Sequence, residues 1–198
     1  MKKIKTEKKP IYIKFFKPYG VLCSFTDPED RPNLSQYILQ PDVYSAGRLD
    51  MDSEGLLILT NDGEINHRIT SPQHYLQKIY YVLVEGNVTI ENLELLSSGP
   101  IIKGSYKTRP CIVEKIPDPL FQEREKPITP HGPINWLKII LNEGKKRQIR
   151  HMTAAVGLPT LRLIRVAIGP IKIEGLKPGE WELISESELT GLKKDLRI

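Results

Sequence analysis

The stretch Gly47-Arg48-Leu49-Asp50-Met51-Asp52-Ser53-Glu54-Gly55-Leu56-Leu57-Ile58-Leu59-Thr60-Asn61-Asp62-Gly63 is the densest in information in the chain. Gly55 to Thr60 is a short apolar run, and Asn61-Asp62-Gly63 tolerate positive φ, so the segment reads as a buried strand entering a tight turn. Asp50, Asp52 and Glu54 place three carboxylates at alternate positions just before that strand. A calcium loop would want a glutamate at its twelfth position, where Asn61 stands, and would not put Leu56 to Leu59 at ligand positions. A serine-hydrolase elbow fails because Met51 stands where its first glycine belongs. A two-carboxylate glycosidase site stays open, since sequence does not fix the separation of the carboxylates. Composition alone favours solvated loop acids. Against that, Arg48-Leu49-Asp50 abuts an apolar strand, where an ionised carboxylate needs a cationic partner.

Outward from this stretch, the pattern is one of short strands and helices. Ile11 to Phe16 reads as a strand stopped by Lys17-Pro18-Tyr19-Gly20, and Pro32 to Leu39 as a short helix with proline in its first turn. Lys78 to Glu85 alternates as a strand, so Lys78, Tyr80 and Val82 share one face while Tyr81 points to the other. Thr89 caps a helix running to about Ser97. Residues 117–133, rich in proline and scattered charge, read as a long surface connection. Trp136 to Leu141 is a strand, Lys145 to Val156 a helix burying Ile149, Met152 and Val156, and Trp181 to Ile184 a strand before a helix capped at Ser185. Five lysines within residues 2–9 suggest that residues 1–9 are a flexible basic tail, with the folded part starting near Pro10.

Composition bounds the class. The chain has 198 residues, 39% hydrophobic and 27% charged, which suits one globular domain or two closely packed lobes and excludes wholesale disorder. Its apolar runs fall far short of the ~18 residues of a membrane span, and no signal-peptide core follows the basic start. Twenty-nine Lys plus Arg against 24 Asp plus Glu give a net charge of +5, which mildly favours an anionic partner. Cys23 and Cys111 form no CxxC, and no two histidines stand at HxxxH spacing, so neither a disulfide framework nor a metal site is expected. The compartment implied is the cytoplasm.

A second chemical segment is Glu143-Gly144-Lys145-Lys146-Arg147-Gln148-Ile149-Arg150, with four cations at the start of a helix whose dipole favours anions. It is not a Walker loop, for Lys146 takes the Ser/Thr position. Phosphate contact competes with an exposed basic helix face. Arg162 and Arg165 fall in the apolar strand Leu161 to Arg165, where such charges are usually edge or rim residues.

Taken in order, these blocks resemble the pseudouridine synthases of the RsuA branch. The resemblance rests on Gly47-Arg48-Leu49-Asp50 with Gly55 to Gly63, Lys17-Pro18-Tyr19-Gly20-Val21, Lys78-Ile79-Tyr80-Tyr81-Val82 and Glu143 to Arg150, together with Gly157 to Arg165. It spans about residues 10 to 184 and is strongest to the RluE type, which acts on large-subunit ribosomal RNA and lacks a separate amino-terminal RNA-binding domain. It implies a mixed α/β (α+β) fold, with a largely antiparallel central sheet, flanking helices and a central cleft, in one catalytic domain over residues 10–198 made of two packed lobes. It further implies Asp50 as nucleophile, Tyr80 stacking on the target base and serving in proton transfer, and Arg150 pairing with Asp50. Lys145, Lys146, Arg147, Arg162 and Arg165 would engage RNA phosphates or support the pocket, with Arg48, Lys17 and Lys78 as further candidates. No cofactor, metal or obligate protein partner is implied, and the expected state is a monomer acting on ribosomal RNA. A non-catalytic RNA-binding or ribosome-assembly factor remains the alternative, as does the same chemistry on small-subunit rRNA or tRNA.

Overall fold

The computed structural model describes residues 9–198, so the expected tail over residues 1–9 lies, apart from Lys9, outside the described residues. In chain order come β1 (Tyr12–Lys17), β2 (Tyr44–Ser45), β3 (Glu54–Thr60), α1 (Gly63–Thr70), β4 (Lys78–Glu85), α2 (Ile90–Ser97), β5 (Ile101–Ile102) and β6 (Tyr106–Lys107). Then follow β7 (Ile112–Ile116), β8 (Ile134–Leu141), α3 (Gln148–Ala155), β9 (Thr160–Ile168), β10 (Ile171–Lys172), β11 (Trp181–Leu183) and α4 (Glu186–Leu196).

Among the described residues nine strands join one sheet, in the order β11-β1-β3-β9-β4-β8-β7, with β10 on β9 and β2 on β3. Its ladders are antiparallel except β3 with β9, which run parallel. The mixed α/β architecture with a mostly antiparallel sheet and flanking helices is the one expected, and among the described residues the α-helices number four.

The continuous apolar run of β3 has a simple cause: both faces of the strand are covered. Leu56 and Ile58 join a core with Ile65 and Ile69 of α1 and Leu192 and Leu196 of α4. Leu57 and Leu59 face the other way, onto Ile13, Phe15, Leu34 and Val43. A third core joins Tyr80, Val82 and Leu137 to Leu96 of α2 and to Ile149 and Met152 of α3. Tyr81 packs instead with the first core, as strand alternation requires.

Several expectations need correcting. Asn61-Asp62-Gly63 leads from the strand into a helix and not only into a tight turn: Asp62 accepts from Glu64 N–H and Ile65 N–H and so opens α1. The helix expected from Pro32 to Leu39 shrinks to one 3₁₀ turn, Leu34–Gln36. The helix expected from Lys145 begins at Gln148, because Arg147 holds the left-handed φ of 56°. Residues 117–133 carry no strand or helix, but Phe121 packs between Phe16, Tyr81 and Trp136 and pins the connection down.

Candidate active site

The nucleophile candidate sits on the loop between β2 and β3, and that loop is held at three points. Gly20 N–H donates to the Met51 carbonyl at 2.8 Å, and Ser53 N–H to the Asp50 carbonyl at 3.0 Å. The Cys23 thiol lies 3.3 Å from both the amide nitrogen and the carbonyl oxygen of Leu49. The segment after β1 thus fixes the backbone on both sides of Asp50, whose half-buried side chain faces a cleft of about 600 Å³. Arg48 is exposed at its lip.

The opposite wall comes from β4, β9 and the connection from β8 to α3. Lys78 and Tyr80, two apart on β4, line the cleft with Arg165 of β9 and with Lys145, Lys146 and Arg147. A volume near 600 Å³ admits a nucleobase with its sugar. Lys145 and Lys146 are exposed at the rim, Lys145 Nζ lying 5.1 Å above the Tyr106 ring. This cationic margin suits an anionic ligand.

Arg150 does not pair with Asp50. Its Nη2 donates to the Asp52 carbonyl at 2.7 Å, its Nη1 to the Thr160 carbonyl at 3.2 Å, and its Nε is 3.3 Å from Asp52 Oδ2. Arg147 reaches the same carboxylate, its two terminal nitrogens donating to Asp52 Oδ1 and Oδ2 at 2.9 Å each. Asp52 is therefore the anion that gathers both arginines. Burial alone would raise the Asp52 carboxyl, but the Arg147 hydrogen bond and the charges of Arg150 and Arg147 outweigh it and hold it below its ordinary value. Burial pulls the Arg150 guanidinium below its ordinary value, with the charges of Asp52 and Asp50 opposing.

Two residues expected to engage phosphates or support the pocket lie inside the protein. Arg162 is no rim charge, for β9 runs through the middle of the sheet. Its Nε and Nη2 donate to Glu54 Oε1 at 2.8 Å and Oε2 at 2.7 Å, the two side chains being 5% and 2% exposed. Lys17 is fully buried, with Nζ donating to the carbonyls of Pro18 and Val21 at 2.8 Å each, so it folds the Lys17-Pro18-Tyr19-Gly20 turn rather than facing a ligand. Burial pushes its ammonium down to about 8.

Two residues escaped the sequence reading. Glu143 accepts from Tyr106 OH at 2.8 Å, from Arg109 N–H at 2.9 Å and from the Gln148 amide, and so braces the loop that carries Lys145 to Arg147. Only its place in a motif pointed to it. Arg124, on the proline-rich connection, stacks 4.3 Å over the Tyr19 ring, and its charge reaches Arg150. No spacing signal marked it.

A carboxylate on a braced loop, facing a tyrosine across a cation-lined cleft, belongs to a class of proteins that act on a nucleic-acid base. The family model of RNA pseudouridylate synthase matches residues 11–155, and the chain belongs to that family. It is 46% identical over 173 residues to the "Ribosomal large subunit pseudouridine synthase E" of Vibrio vulnificus, covering 86% of this chain and 74% of that one. To the "Ribosomal small subunit pseudouridine synthase A" of Escherichia coli K12 it is 33% identical over 188 residues, covering 92% and 74%. A crystal structure of a pseudouridylate synthase superposes with a TM-score of 0.79 at 30% identity, covering 93% of this chain and 74% of that chain.

Proposed function

We propose that this protein converts a specific uridine of large-subunit (23S) ribosomal RNA to pseudouridine, with Asp50 as the nucleophile. The observation that carries the reading is the seat of Asp50: a half-buried carboxylate in a cleft of base-and-sugar size, opposite Tyr80. The choice of large-subunit RNA is supported by the 46% identity to the large-subunit relative against 33% to the small-subunit one. Tyr80 stacks on the target base and serves in proton transfer. Arg150 and Arg147, anchored on Asp52, place positive charge near Asp50.

Substrate and product are isomers, so this reading requires neither a redox cofactor nor a metal. A paired uridine must leave its helix to reach Asp50, at a cost of a few kcal/mol that backbone contacts offset. Lys145, Lys146 and Arg48 make those contacts at the lip. The same reading treats residues 10–198 as one catalytic domain of two packed lobes, working as a cytoplasmic monomer.

The test is pseudouridine mapping of total rRNA from cells with and without the protein, complemented by wild type or by Asp50→Asn. One large-subunit uridine should lose its modification and regain it only with wild type. A position in small-subunit rRNA or tRNA would move the substrate but keep the chemistry. An unchanged map, or rescue by Asp50→Asn, would overturn the catalytic reading in favour of an RNA-binding factor.

A further inference from the structure

Two cations in the wall of the cleft make no ion pair among the described residues. Arg165 is only 4% exposed; its Nε donates to the Leu56 carbonyl at 2.7 Å, while its Nη2 is buried with no hydrogen-bond partner. Lys78 is half-buried and donates to the Leu76 carbonyl at 3.2 Å. Other buried cations nearby have partners for their charge or their donors: Lys17 two carbonyls, Arg162 the Glu54 carboxylate, and Arg150 the Asp52 carboxylate and two carbonyls. Although Arg150 Nε also makes no hydrogen bond, it lies 3.3 Å from an anion, which Arg165 does not. The register sets Arg165 directly opposite Tyr80 in the β4–β9 pair, next to a bulge, and Lys78 two residues from Tyr80 on the same strand. A buried guanidinium with a spare donor is costly unless an anion arrives.

We propose that Arg165, assisted by Lys78, is a catalytic residue that binds the uracil ring while it carries negative charge. The inference rests on the pseudouridine reading above. In that reaction the C1′–N1 bond breaks and its electron pair stays on the ring, spread over N1, O2 and O4. This holds whether Asp50 forms a C–O bond to C1′ or removes the C2′ proton. The ring turns, and C5 gives the pair back in a new bond to C1′. As that bond forms, the C1′–O bond to Asp50 breaks and its pair leaves with the carboxylate, or the C1′–C2′ π pair moves to C2′, which takes its proton back. The C5 proton is lost to solvent and N1 takes one up, so nothing is oxidised or reduced.

The ring is neutral before and after, and anionic only between the two bond events. A cation already in place at the tyrosine wall therefore favours the intermediate stage over bound uridine, which is the condition for raising the rate. A phosphate, charged throughout, is served by the exposed lysines at the rim.

The test compares two planar pyrimidine probes, barbiturate, anionic near neutral pH, and uracil, neutral there, as inhibitors of the enzyme on an rRNA fragment. Barbiturate should inhibit at least tenfold better than uracil, and Arg165→Met should bring the two together. The same variant should turn over roughly 10²–10³-fold more slowly in a single turnover at unchanged RNA affinity, with Arg165→Lys restoring part of the rate. Lys78→Met, which removes one backbone hydrogen bond, carries the same comparison should Arg165→Met not fold. A folded Arg165→Met with wild-type turnover, or an unchanged barbiturate preference in the variants, overturns this inference alone. Wild type that forms no pseudouridine on any transcript overturns the function on which it rests.

Discussion

At the scale of single residues, the same side-chain type does opposite work depending on depth. Arg162 looks, in sequence, like its neighbours at the cleft, yet both it and Glu54 are almost wholly buried and bonded twice to each other. Replacing Arg162 with leucine would leave an unpaired buried carboxylate and should lower stability by about 3–5 kcal/mol. RNA affinity should keep its dependence on salt, which separates a structural cation from a ligand contact; a flattened salt slope would return Arg162 to the RNA. Lys17 makes a pH-dependent case. Its folded value of about 8 lies below the roughly 10.4 of an unfolded lysine, so between these pH values the unfolded chain holds the extra proton. The cost of burying the ammonium is complete below pH 8 and fades as pH rises toward 10.4. Wild type should therefore gain on Lys17→Met by up to about 3 kcal/mol over that interval. Denaturant unfolding of both proteins at pH 7.5 and pH 10 reads the change, and a constant difference would refute it.

At the scale of elements, what could be read in the sequence was whatever local chemistry decides. β4 runs from Lys78 to Glu85 as its alternation indicates, and Thr89 and Ser185 open α2 and α4 with reciprocal capping boxes. The helix α1 was hidden because Asn61-Asp62-Gly63 suits a hairpin turn and an N-cap equally, and only Ile65 and Ile69 packing under β3 decides between them. Asp62 also accepts from Tyr12 OH at 2.7 Å, so it ties that helix to β1. Asp62→Ala should cost about 1–2 kcal/mol, and Thr60, Asn61 and α1 amides should exchange faster while α4 amides do not. The basic approach to α3 was legible as a cluster but not by role, because depth and partners depend on residues far away in sequence. Arg147 and Arg150 turn inward to Asp52, some 95 positions upstream, while Lys145 and Lys146 stay outside. Lys145→Ala and Lys146→Ala should each flatten the slope of log affinity against log salt by about 0.7–0.9. Unchanged slopes would make them a solvated face.

At the scale of the molecule, the cleft is assembled across a junction between two halves of the sheet. Asp50 arrives on the β1–β3 side, and Tyr80, Arg165 and α3 belong to the β9-β4-β8 side. The halves meet where β3 runs beside β9, with only Glu54↔Ile164 and Gly55↔Arg165 in register. The buried Glu54–Arg162 ion pair crosses the same seam. Gly55 is what lets the strands meet: its φ is 103°, and a Cβ there would stand 2.2 Å from the Arg165 carbonyl oxygen and 2.7 Å from its nitrogen. Backbone cannot retreat as a side chain can, so Gly55→Ala must either part the strands or shift Arg165. Both movements change the distance between Asp50 on one half and the Tyr80–Arg165 wall on the other, and catalysis is sensitive to misplacement of about 1 Å. Gly55→Ala should therefore lose at least about 100-fold in single-turnover rate, and its stability should fall as well. RNA affinity should change far less, because Lys145, Lys146 and Arg48 are exposed, flexible side chains at the lip that tolerate a small shift of the seam. Equal losses in affinity and rate would show instead that RNA binding is as sensitive to the seam as catalysis is, and wild-type turnover would show that the seam yields without moving the site.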